Sequence, residues 1–139
     1  MSIQQYQTTI PREEFEQIVI DEIANIPEKF HQKIKNVAFI VDDEASPETR
    51  EENHLARGQD LLGLYSGISL IARGDNYGVG MTLPDMITIY QVPTERAAAG
   101  DPVRIRSIVR DTVFHEVAHY LGMSESEVAE WEAKPKQSK

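Results

Sequence analysis

The chain has 139 residues, enough to bury one core and too few for several domains. Its net charge of −9 argues against nonspecific nucleic-acid binding, which depends on neutralising phosphates. The absence of cysteine excludes a disulfide framework, and no apolar run is long enough to span a bilayer.

The first fifteen residues, MSIQQYQTTIPREEF, lack the basic and apolar regions of a signal peptide, so a cytoplasmic location is expected. Thr9 and Pro11 open a first helix, in which Phe15, Ile18, Val19, Ile23 and Ile26 recur at helical spacing. Pro27 limits it, and a short helical piece is expected over Glu28–Ile34. Val37–Val41 is apolar and largely β-branched, which predicts a buried strand. Asp42–Asp60 reads as a polar loop. Its acids lack the fixed spacing and glycine of a calcium loop, so a solvated segment is expected there.

Leu61–Leu64 and Ser69–Arg73 are candidate strands around a Ser66-Gly67 turn. The glycines between Arg73 and Gly80 do not lead into a helix, which removes a phosphate-binding loop. Met86–Val92 alternates and predicts a further strand. No repeat and no second domain is evident. One domain is expected over 1–139, with a core at about 12–131 and a frayed polar tail at 133–139.

Asp101 and Pro102 form a helix start, with Asp as N-cap and Pro at the first helical position. Nothing breaks the helix until Gly122, which marks its end. Apolar residues surround much of its C-terminal half, so this helix is expected to be buried. It carries His115-Glu116-Val117-Ala118-His119. Positions i and i+4 lie one turn apart on one face, so both imidazoles can grip one Zn²⁺ at roughly 2.0–2.1 Å. Glu116 projects about 100° from His115, too far to share the first shell comfortably but within reach of a water at the metal. This pattern on a helix is the mechanical signature of a zinc peptidase, with the Glu as general base.

Catalytic zinc takes three protein ligands. Glu125, just past the Gly122 turn, is the candidate third. Ser124 and Glu127 read as a capping box, which gives Glu127 a structural role and leaves Glu125 free, although Glu127 remains its rival. Asp111, one turn before His115, could orient that ring or pair with Arg104, Arg106 or Arg110, the second being favoured. Tyr65, Tyr77, Tyr90 and Arg96 could each stabilise an oxyanion, though each reads better as structural. Tyr120 suits the core, and His31 and His54 read as surface residues.

HEVAHYLGMSE resembles the H-E-x-x-H-x-x-G-x-x-acid signature of small zincin-like metallopeptidases, the minimal zincins. LLGLYSG (61–67), LPDMITIY (83–90) and Pro93-Thr94-Glu95-Arg96 resemble that family's blocks, in the same order and at similar spacing. Metzincins carry His where this chain has Glu125 and a downstream Met turn, for which only fourteen residues remain. The resemblance implies an α+β zincin-like fold: a small mixed sheet on a buried active-site helix, with N-terminal and C-terminal helices. It implies one zinc ion on His115, His119 and Glu125, Glu116 as base, and a peptide or protein substrate held along a sheet edge. No nucleic-acid or membrane partner is expected, and the oligomeric state is not readable. The alternative is a zincin-fold metal- or peptide-binding protein with little turnover, since fold alone does not establish activity.

Overall fold

A computed structural model describes residues 8–56, 58–67, 85–124 and 126. The elements run α1 (Arg12–Ala24), α2 (Glu28–His31), β1 (Val37–Asp42), α3 (Pro47–Glu52), β2 (Gly63–Ser66), β3 (Asp85–Tyr90), α4 (Gln91–Ala98) and α5 (Pro102–Leu121). The strands form one mixed sheet in the order β1-β3-β2, with β1 parallel and β2 antiparallel to β3. The architecture is therefore small α+β.

Alternation along β3 builds the core. Ile87 and Ile89 are fully buried and join Phe15, Val19, Ile105, Val109, Val113 and Val117 of α1 and α5 in one cluster. Met86, on the other face, is 40% exposed. The stripe of α1 lies where the sequence places it for Phe15, Ile18 and Val19, which are buried; Ile23 is half-buried, and the buried Ile26 lies past the helix end. Pro27 follows directly, and the helix ends at Ala24.

Several boundaries differ from expectation. Among the described residues β1 is not a buried strand but an edge strand, half-buried for most of its length, with Ile40 40% exposed. The polar segment after it contains α3, whose Ser46 hydroxyl accepts from the Thr49 N–H at 3.1 Å and whose first turn holds Pro47. The strand expected over Met86–Val92 stops at Tyr90, and α4 follows without a linker. Thr94 Oγ1 donates to the Tyr90 carbonyl at 2.7 Å, tying that junction together. β3 is also the central strand, so it cannot offer a sheet edge to a peptide. Ser69–Arg73 and Tyr77 fall outside the described residues.

Two buried polar residues of α4 hold the segment before α1. Gln91 Nε2 donates to the Ile10 carbonyl at 3.0 Å and to Glu95 Oε2 at 2.8 Å. The Thr9 N–H donates to Glu95 Oε1. Burial of Glu95 is thus matched by donors, as buried carboxylates require.

α5 starts and stops where expected. The Asp101 carboxylate accepts from the Val103 N–H at 3.0 Å, Pro102 occupies the first turn, and Gly122 closes the helix at φ 74°. We expect Asp101→Ala to lower the unfolding free energy by about 1 kcal/mol in urea titration, the usual worth of a lost N-cap. Metal affinity should not change, because His115 lies about 21 Å further along the axis at 1.5 Å per residue.

Candidate metal centre

α5 is not buried all round. Ile105, Val109, Val113, Val117 and Tyr120 line its inner face, while Arg104, Arg106, Ser107, Asp111 and His119 are exposed. The His-Glu-His group sits where the two faces meet. His115 is half-buried, Glu116 is 7% exposed, and the His119 side chain is 42% exposed. One wall is thus protein and the other is open to a ligand.

The two imidazoles approach edge-on, with centroids 4.6 Å apart. The Glu116 carboxylate lies 3.3 Å from His119 Nδ1. One donor atom from each of His115, Glu116 and His119 lies within 4.8 Å of the others. Donors around a tetrahedral zinc stand roughly 3.3–3.6 Å apart, given bonds of about 2.0–2.2 Å. Two imidazoles and a carboxylate are the donor types zinc prefers, so the set fits that ion after a modest inward closure. Among the described residues this is the group of His, Asp and Glu donors close enough to share a metal. Glu116 comes nearer the histidines than its 100° rotation suggests, because its side chain is long enough to swing back. Glu125 and Glu127 lie outside the described residues.

Burial raises the pKa of Glu116 above its ordinary 4.5, the largest influence on it. His119, His115 and the main-chain N–H of Tyr65 favour the ionised form and only partly offset this. The Tyr90 phenol is also pushed up, first by burial, then by the negative charges of Asp42 and Glu116.

Strand β2 passes directly over this part of α5. A Cβ built on Gly63 would stand 2.5 Å from Thr112 Cγ2 and 3.3 Å from Glu116 Cγ. Only glycine lets the strand lie so close. Tyr65 stacks edge-on against Tyr120, with centroids 6.0 Å apart, and its hydroxyl donates to Asp85 Oδ2 at 2.8 Å. The Tyr120 hydroxyl donates to the Lys35 carbonyl at 2.6 Å and accepts from the Lys35 N–H at 3.2 Å. The residue after His119 therefore clamps α5 to the segment before β1.

The remaining candidates separate clearly. Asp111 is exposed and makes no hydrogen bond or ion pair among the described residues, so neither role considered for it holds. Arg96 pairs with Asp60 at 2.9 Å and more loosely with Glu44. The Tyr65 hydroxyl is committed to Asp85. His54 is exposed as expected, but His31 is half-buried, its Nε2 2.9 Å from the Ile23 carbonyl. Sequence reasoning does not single out Gly63 or the main chain of Tyr65, although a glycine within a strand pattern signals a close approach.

A small α+β fold with a sheet over a helix bearing paired histidines and a carboxylate defines a metal-site protein of the zincin type. The family model for zincin-like metallopeptidases matches residues 34–134, and the chain belongs to that family. Membership implies metal-dependent hydrolysis or metal binding, with zinc the usual ion. Among solved structures, the fold is similar to a conserved hypothetical protein from Thermo thermophilus. That likeness has a TM-score of 0.52 and 21% identity, and covers 86% of this chain and 99% of that one. The search of curated proteins gives no significant match. Among the described residues, no helix is long and apolar enough to cross a membrane.

Proposed function

We propose that the protein is a zinc-dependent peptidase in which Glu116 is the general base. The observation that carries this reading is a buried carboxylate beside two histidines at the solvent boundary of α5. His115 and His119 would hold the ion, with Glu125 as third ligand from beyond the Gly122 turn. Zinc, when bound, supplies Lewis acidity toward the scissile carbonyl and acidifies water.

The chain's own contribution is proton handling. Glu116 accepts the proton of the attacking water and passes it to the leaving amine. Its burial suits that task. A carboxylate with a raised pKa is a stronger base than one in bulk water. His119 stays within hydrogen-bonding range of it and favours its ionised form.

The test is digestion of a broad library of unstructured peptides by zinc-loaded protein across pH. Cutting should appear with zinc and vanish with chelator. The acid limb of kcat/KM should fall as Glu116 takes up a proton, and Glu116→Gln should remove the activity on which that limb is read. A library left intact by protein that binds zinc would instead favour the metal- or peptide-binding alternative.

A further inference from the structure

Glu116 has a neighbour that the proton-transfer scheme does not use. In an antiparallel pair, hydrogen-bonded and non-bonded residue pairs alternate along the ladder. The Tyr90 N–H donates to the Leu62 carbonyl at 2.9 Å, which fixes Leu62–Tyr90 as a bonded pair. In the register Gly63–Ile89, Leu64–Thr88 and Tyr65–Ile87, the main-chain groups of Gly63 and Tyr65 must then turn away from β3. β2 is the last strand of the sheet among the described residues, so these groups point off its edge. Gly63 brings this strand against the Glu116 side chain, where a Cβ would stand 3.3 Å from Glu116 Cγ, and the Tyr65 main-chain N–H acts there as a donor that favours the ionised Glu116 carboxylate.

Resting on the reading of Glu116 as the base, we propose that Tyr65 is a positioning residue whose outward main-chain N–H, on a strand brought close by Gly63, orients the Glu116 carboxylate. The last torsion of a glutamate is broad and roughly two-fold, so an untethered carboxylate samples many directions. A main-chain donor on a strand cannot rotate, and it removes that freedom. The Tyr65 side chain fixes the donor in turn. Its ring packs on Tyr120 of the same helix, and its hydroxyl is held by Asp85, which is 6% exposed. Strand and helix are thereby locked at the spacing that the missing Cβ of Gly63 permits.

The experiment removes this one N–H. Suppression of a stop codon with the α-hydroxy acid of tyrosine replaces the amide at residue 65 with an ester. In zinc-loaded protein, kcat should fall on the order of 10²-fold, the cost of misplacing a catalytic group by about 1 Å. KM and zinc affinity should hold. The same exchange at Leu64 breaks a ladder bond to β3 but does not touch Glu116, so it should lower the melting temperature and spare kcat. Equal kcat losses at 64 and 65 would overturn the proposal.

A second measurement does not need turnover. By NMR, the Tyr65 amide should be protected from hydrogen exchange despite its edge position, and Glu116→Ala should cut that protection at least about tenfold, a contribution of about 1.4 kcal/mol. An unchanged Tyr65 exchange rate sinks the proposal. A wild type that cuts nothing would strike the peptidase reading alone, since the exchange measurement decides the contact by itself.

Discussion

Glu116→Gln should lower peptide hydrolysis by about 10² to 10⁴-fold, the usual contribution of a general acid–base, while the metal-free variant melts no lower than wild type at pH 7. The two halves have one cause. Burial raises the pKa of Glu116 in the folded chain. A group with a raised folded pKa contributes stability that is fully present below its unfolded value and is lost as pH rises through the folded value. Above that folded pKa the wild type therefore carries an ionised, desolvated carboxylate at a cost. Glutamine keeps the shape and the acceptor for the Tyr65 N–H, and removes the charge. The stability difference should narrow as pH falls through the raised folded-state pKa of Glu116. Activity assays on zinc-loaded protein and calorimetry on chelated protein separate the two halves. A variant that loses activity and also unfolds at pH 7 would make Glu116 a structural residue and remove it as the base.

Most of the helical framework is legible in the sequence, because its cues are local. Asp101-Pro102 and Gly122 bracket α5, and each acts through its own backbone geometry. The apolar spacing of α1 needs only a 3.6-residue period. What escapes depends on partners distant in sequence. α4 is hidden because β3 runs into it with no break, and the alternation of Met86–Val92 carries past the true strand end. Val37–Val41 is apolar and so reads as buried, yet among the described residues the sheet order leaves β1 at an edge. In the site, the i, i+4 spacing is enough to foresee that His115 and His119 face one another. The bond from Glu116 to the Tyr65 N–H arises from β2, which lies about fifty residues upstream and has no local trace in the helix itself. The glycine in LLGLYSG is the visible sign of that contact. Glu125 stands out by spacing alone, and its place is a matter for metal-binding measurements.

His115→Ala and His119→Ala should each weaken zinc binding by more than the roughly 10–100-fold that supporting residues cost, whereas Glu116→Gln should change it far less. The imidazoles are the strongest zinc donors in the group and lie on one turn of a rigid helix. Removing either leaves a site that the remaining ring and carboxylate cannot refill. Alanine is well tolerated in a helix, and His119 lies on the exposed face, so its removal does not open the core. His119→Ala should therefore lose metal without losing fold, which a far-ultraviolet spectrum checks directly. Glu116 is the informative contrast. It lies within 4.8 Å of both histidines, close enough to serve as a ligand if it moved. In the proposed chemistry it must stay off the metal to accept a proton. Titration calorimetry on the three variants decides between these roles. If Glu116→Gln costs as much affinity as either histidine, Glu116 belongs to the ligand set and cannot be the base. If Glu125→Ala costs as much as a histidine while Glu116→Gln does not, the ligand set is His115, His119 and Glu125, and the open position needed for hydrolysis is retained.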